Sequence, residues 1–185
     1  LLFLLNNISK MKEGTDLGSR IVEVHNGSSL FTGDAGQGES NARRHMIERD
    51  LVEAIIALPE GMFYNTGIAT FIWVLSNRKE ERRRGKIQLI DATSMKAPLR
   101  KNLGKKNCEF TPEIRQQILD LYFKMEENEY SKIFPNSEFG FYKVEVLQPK
   151  LDEQGQPLRD KKGKFIEDKD KKDSEIIPLR YEGGI

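Results

Sequence analysis

Apolar residues along this chain recur with two spacings, one suited to strands and one to helices. Leu1 to Lys12 opens with Leu1-Leu2-Phe3-Leu4-Leu5 and reads as a buried helix, ended by Gly14 to Arg20. Ile21-Val22-Glu23-Val24 reads as a strand closed by the turn-forming pair Asn26-Gly27. After a flexible loop, Gly33 to Ser40, either Ser40 or Asn41 is expected to cap a helix running to about Asp50. Leu51 to Leu58 is an apolar run of strand length interrupted by Glu53 and stopped by Pro59-Glu60-Gly61. Thr70 to Leu75 is a second buried strand, rich in β-branched and aromatic residues, and Lys86 to Asp91 holds a third. Thr111-Pro112-Glu113 combines a cap, a first-turn proline and an acid at the positive end of the dipole. Ile114, Ile118, Leu121 and Met125 follow at helical spacing, whereas Tyr142, Val144 and Val146 alternate with charges as a half-exposed strand does.

Strand, helix and strand in that order imply an α/β sheet with a right-handed crossover. The short link from Leu58 to Thr70 favours a hairpin-like, antiparallel return. The expected sheet is therefore mostly parallel with an antiparallel strand at its edge. No apolar run is long enough to span a membrane, and Leu1–Leu5 is too short for a signal-peptide core. A chain that opens inside an amphipathic helix without Met is expected to be part of a longer polypeptide.

Charge adds a second layer of organisation. The chain of 185 residues has a net charge of only +1, yet Arg78 to Lys106 carries 11 basic and 3 acidic residues. Such a block on a nearly neutral chain is a candidate nucleic-acid footprint; its alternative is an ordinary solvated loop. Arg82-Arg83-Arg84 and Lys86 are the candidate phosphate contacts within it. Lys150 to Glu175 balances 8 basic against 8 acidic residues and buries little, so a mobile charged arm is expected, with a small hairpin at Asp160–Lys164. Cys108 is the only cysteine, which excludes an internal disulfide, fits a reducing cytoplasmic setting and reads as incidental. His25 and His45 are isolated, so no metal site is expected.

Candidate chemistry concentrates in Pro59 to Thr70. Phe63, Tyr64 and Asn65 place two aromatics and an amide in a glycine-flanked loop held by a strong strand. Aromatics beside hydrogen-bonding groups can stack on a flat heterocycle and read its edge, as an enzyme acting on an extruded base requires. The competing reading is a plain turn whose Phe63 and Tyr64 pack inward. His25-Asn26-Gly27-Ser28 lies at the carboxyl end of a strand, where open α/β sheets place ligands. Gly33-Asp34-Ala35-Gly36-Gln37-Gly38 is a weak phosphate-loop candidate, because Asn26 to Thr32 separates it from the strand.

Arg20-Ile21-Val22-Glu23-Val24-His25-Asn26-Gly27-Ser28-Ser29-Leu30-Phe31, the Leu51–Pro59 strand and Phe63-Tyr64-Asn65-Thr66-Gly67-Ile68 together resemble the modification (M) subunit of type I restriction–modification systems, adenine-specific DNA N6-methyltransferases. The resemblance implies a Rossmann-like methyltransferase sheet, of which this chain is the second half. It implies S-adenosylmethionine as methyl donor, and DNA with the specificity and restriction subunits as partners. It further implies that Phe63 stacks on the flipped adenine while Tyr64 and Asn65 shape the pocket. The family's glycine-rich donor motif and its Asn-Pro-Pro-aromatic motif are missing; none of the seven prolines follows another. The chain alone is therefore expected to be inactive, with no catalytic residue of its own. The expected organisation is 1–110 from the catalytic domain, 111–149 a helix and strand extension, and 150–185 the charged arm. A reading from a different class is a non-catalytic module that docks DNA or partner subunits.

Overall fold

A computed structural model of the chain describes residues 1–179, which fall into two compact units, 1–136 and the residues from 137 onward. In the first unit the order is α1 (Leu2–Ile8), β1 (Arg20–Asn26), α2 (Ser28–Phe31), α3 (Gly38–Glu48), β2 (Val52–Leu58), β3 (Thr70–Ser76), β4 (Lys86–Asp91), β5 (Ala97–Leu103), β6 (Lys106–Glu109), α4 (Pro112–Lys124) and β7 (Ser131–Pro135). Each strand expected from the apolar runs is present. Helix α3 begins earlier than expected, after Gln37 rather than at Ser40 or Asn41, and the Asn41 side chain instead bonds the Gly36 carbonyl.

Five strands form one sheet in the order β1-β3-β2-β4-β7. The mostly parallel sheet with an antiparallel edge is corrected here: only β2 and β4 pair in parallel, while β1–β3, β2–β3 and β4–β7 are antiparallel. The link at residues 59–69 holds no crossover helix, so β3 returns as a hairpin partner of β2. It then lies between β1, at the edge, and β2, at the centre of the sheet. Strands β1, β2 and β4 nevertheless point the same way, because β1 and β2 are each antiparallel to β3. Their carboxyl ends share one end of the sheet.

The core lies on both faces. Ala54, Ile56, Leu58, Val74, Ile90 and Ala92 meet Ile118 of α4, with Ile114, Leu121 and Tyr122 packed against them. Trp73 and Leu75 flank Val74 in β3 and so point to the opposite face. There the Trp73 indole donates to Ser29 Oγ of α2, and Arg43 of α3 bonds the Ser29 carbonyl. Thr111 caps α4 as expected, accepting from the Ile114 amide at 3.3 Å. Helix α4 and β7, placed by sequence in an extension, belong to this first unit.

The second unit pairs β8 (Phe141–Val146) with β9 (Asp173–Pro178). Between them the charged segment folds back on itself through bridges at Pro149–Glu167, Leu151–Pro157 and Arg159–Phe165. Asp152 accepts from the amides of Gln154 and Gln156, and Asp160 from those of Lys162 and Lys164. Residues 180–185 of the expected arm lie outside the described ones. Among the described residues, no helix is long and apolar enough to cross a membrane.

Candidate nucleic-acid interface

The loop at residues 59–69 leaves the carboxyl end of β2. Within it Phe63 bridges to Thr66, which makes Tyr64-Asn65 the tip of a tight turn. Phe63 is 38% exposed and Tyr64 60% exposed, so the aromatics face solvent instead of packing inward. Backbone bonds hold the turn from behind. The Lys105 amide donates to the Tyr64 carbonyl at 2.9 Å, and the Asn107 amide to the Gly61 carbonyl at 2.9 Å. Cys108, incidental in the sequence, is buried and its Sγ–H donates to the Glu60 carbonyl at 3.4 Å. Two glycines permit this closeness. Gly61 has φ +72°, and a Cβ there would stand 2.5 Å from Asn107 Oδ1; Gly104 has φ +61°, and its Cβ would meet the Tyr64 carbonyl at 2.9 Å.

The end of β1 reaches the same end of the sheet. The Gly27 amide donates to the Ala69 carbonyl at 3.2 Å, joining the Asn26-Gly27 turn to the base of the loop. Ser29 Oγ–H donates to the Asn26 carbonyl at 2.8 Å. His25 lies edge-on to Trp73, and burial lowers its pKa, opposed by the Glu23 carboxylate 3.4 Å away. Its Nε2 is buried and has no hydrogen-bond partner among the described residues. The glycine loop 33–38 is separated from β1 by α2, so it does not form a strand-to-helix phosphate turn.

The arginine cluster sits elsewhere. Arg82 to Lys86 leads into the amino end of β4, whereas the aromatic turn follows the carboxyl end of its parallel neighbour β2. At about 3.3 Å per residue, the length of β2 puts about 20 Å between the two ends. Arg83, expected at phosphate, is corrected: it is 2% exposed. Its guanidinium lies 4.2 Å from the Tyr122 ring centroid, donates to Gln88 Oε1 at 3.2 Å, and bonds the Tyr122 carbonyl. Gln88 in turn donates to the Leu121 carbonyl at 2.8 Å and to Ser131 Oγ at 2.9 Å. Arg82 bonds the Lys124 carbonyl, so these side chains serve the carbonyls of the last turn of α4. Arg82 also pairs with Glu80 at 2.7 Å and Arg84 with Glu81 at 2.7 Å; Lys86 is exposed.

Two acids that periodicity does not account for, Glu53 buried and Asp50 half-buried, anchor this amino end. Glu53 sits at a bulge in β2, accepts from the Tyr122 hydroxyl at 2.5 Å, and lies 3.5 Å from Arg20 Nε. Burial, and then the Glu53 carboxylate, push the Tyr122 hydroxyl up to about 12. Asp50, at φ +53°, accepts from Lys79 at 2.6 Å, from the Gly85 amide and from Asn136. Burial raises its pKa, but these hydrogen bonds outweigh burial and hold it below the ordinary value.

Residues 1–140 match the N-6 DNA Methylase family. A methylase subunit of the type I restriction enzyme MjaIX from Methanocaldococcus jannaschii is 32% identical over 61% of this chain, and that of MjaVII from the same organism 40% identical over 38%. The matched residues span 19% and 12% of those relatives' lengths. Among solved structures, a type I methyltransferase subunit from Streptococcus thermophilus superposes with a TM-score of 0.60 at 24% identity, covering 73% of this chain and 26% of that one. A modification subunit from Vibrio vulnificus YJ016 gives 0.55 at 21% identity, covering 84% and 29%. Those two likenesses are of fold. With three-quarters of its residues inside the family match, the chain belongs to the N-6 DNA methylase family.

Proposed function

We propose that this chain forms the base-receiving part of a type I adenine N6-methyltransferase. Phe63 stacks on the extruded adenine, and Tyr64 and Asn65 line the pocket around it. The observation that carries this reading is the exposed Phe63–Thr66 turn, braced by backbone bonds at the carboxyl end of the sheet. An adenine amine is inaccessible inside a duplex, and an extruded base needs a replacement stacking surface. The methyl donor of such an enzyme is S-adenosylmethionine, which would supply the transferred methyl group. The residues of this chain do not fit a donor site, because the glycine loop is cut off from β1 by α2, and no Asn-Pro-Pro motif is present to hold the target amine. Methyl transfer therefore requires residues beyond these. DNA, with specificity and restriction subunits in the cytoplasm, are the partners that follow from this reading. Of the sequence-expected phosphate contacts, Lys86 is the exposed cation without an ion pair among the described residues, and Arg82 and Arg84 would first have to leave their acidic partners.

The test compares a duplex bearing one unpaired adenine with the same duplex fully paired. Base–aromatic stacking is worth about 1–3 kcal/mol per base, so Phe63→Ala should weaken binding to the unpaired-adenine duplex by about fivefold or more. Phe63→Tyr should retain it. Equal affinities for Phe63→Ala and the unaltered chain would overturn the assignment.

A further inference from the structure

The hairpin of β5 and β6 has the composition of a phosphate-binding element and stands directly behind the aromatic turn. From Ala92 to Cys108 the chain carries Lys96, Arg100, Lys101, Lys105 and Lys106 and no acidic residue. All but the half-buried Lys106 are exposed. None of the five takes part in an ion pair among the described residues, in contrast to Arg82 and Arg84. Charge that is not already matched by a protein carboxylate is the charge available to displace counterions from DNA.

Placement strengthens the case. Gly104-Lys105 forms the turn between Leu103 and Lys106, and the Lys105 amide is bonded to the carbonyl of Tyr64 itself. The cation that follows Gly104 is thus tied to the tip of the aromatic turn. The Asn107–Gly61 bond and the Cys108–Glu60 contact extend this attachment along β6. Pairing in the hairpin shifts register between Pro98 and Leu103, which leaves Arg100 and Lys101 on an irregular, outward stretch of β5. The phosphates flanking an extruded base must be met near the pocket, and the Arg82–Lys86 segment is at the other end of the sheet.

We infer that the β5–β6 hairpin, through Arg100, Lys101 and Lys105, grips the DNA backbone beside the adenine held by Phe63. The inference deepens the proposed base-receiving role and rests on it. The interaction is with phosphate and carries no sequence information. It positions the strand so that the base entering the turn is presented to the aromatic face.

The salt dependence of binding to both duplexes, unpaired-adenine and fully paired, tests this. Each phosphate contact contributes about 0.9 to the slope of log affinity against log salt, on the order of tenfold in affinity at 0.1 M. The double variant Lys101→Gln/Lys105→Gln should therefore have a slope shallower by about 1.8 on both duplexes. It should keep its preference for the unpaired adenine, and Lys101→Arg/Lys105→Arg should keep the full slope. Arg82→Gln/Arg84→Gln should leave the slope unchanged. Phe63→Ala should do the reverse of the hairpin variant, losing the preference and keeping the slope. Thus a lost preference and a lost slope report on separate elements, and either reading can fail alone. An unchanged slope in Lys101→Gln/Lys105→Gln would overturn the inference and point the hairpin's charge toward an acidic protein surface. A slope carried by Arg82 and Arg84 would overturn it equally.

Discussion

Replacing Arg83 by methionine separates a structural arginine from a DNA-contacting one. Methionine keeps most of the buried aliphatic stem and removes only the guanidinium. Three interactions go with it: the contact over the Tyr122 ring at 4.2 Å, the bond to Gln88 Oε1, and the bond to the Tyr122 carbonyl. A desolvated cation–π contact is worth about 2 kcal/mol, and each hydrogen bond from a charged donor about 1.5–3 kcal/mol. Against this stands the recovered cost of burying the charge, several kcal/mol for an ion taken out of water. The net expectation is a loss on the order of 3 kcal/mol. For a domain of this size that corresponds to a fall in Tm of about 9 °C, or in the urea midpoint of about 1.5 M. Trp73 is the only tryptophan and is 2% exposed, so its fluorescence reports unfolding of the sheet directly. Arg82→Ala provides the comparison, since its exposed pair with Glu80 should be worth less than about 1 kcal/mol. DNA affinity and its salt slope should be the same in Arg83→Met as in the unaltered chain. A midpoint shift under about 0.3 M, combined with a shallower salt slope, would refute the structural role and restore Arg83 to the phosphate contacts.

Two further predictions address the amino end of the sheet and the support of the aromatic turn. Asp50 has a depressed folded-state pKa, so its contribution to stability is present above the ordinary value of 3.8 and is lost as pH falls through the lower folded value. Asp50→Asn, which tolerates the left-handed backbone, should therefore flatten the acid limb of a pH–stability profile followed by Trp73 fluorescence; an unaltered limb would show that Asp50 does not drive it. Gly61→Ala should strain φ +72° and drive its methyl into Asn107, loosening the bond between loop and hairpin. Amide exchange at Asn107 should then accelerate by about tenfold, and protection equal to that of the unaltered chain would mean that the loop does not depend on this close approach.

Much of the fold was legible because local pattern controls local structure. The apolar runs placed β2, β3 and β4 within a residue or two, and Thr111-Pro112-Glu113 placed the start of α4. The Leu58–Thr70 link announced an antiparallel return, and β3 does pair antiparallel with β2. The exposed aromatic turn was also foreshadowed, because glycines and a strong following strand mark a loop on a rigid support. Less visible were the roles of Glu53, which interrupts an apolar run, and of Cys108. The bulge that turns Glu53 toward Tyr122, and the carbonyl that receives the Cys108 thiol, come from segments far away in sequence.

By itself, then, the sequence determined where β1 to β4, β8 and the main helices form, where the chain turns and which residues offer chemistry, because these depend on periodicity, capping and turn preferences within a few residues; β5, β6, β7 and β9 were not expected from it. Tertiary structure alone decided that β3 lies between β1 and β2, that Arg83 is buried while its neighbours Arg82 and Arg84 are ion-paired, and that Lys105 stands against Tyr64. A run of arginines has the same local pattern whether it faces solvent or a helix end. Likewise, a strand's apolar residues specify that it must be covered but not which edge it pairs with. Those choices are made by contacts between distant segments, and it is there that the cations of the hairpin bonded to the aromatic turn are separated from those that hold the sheet together.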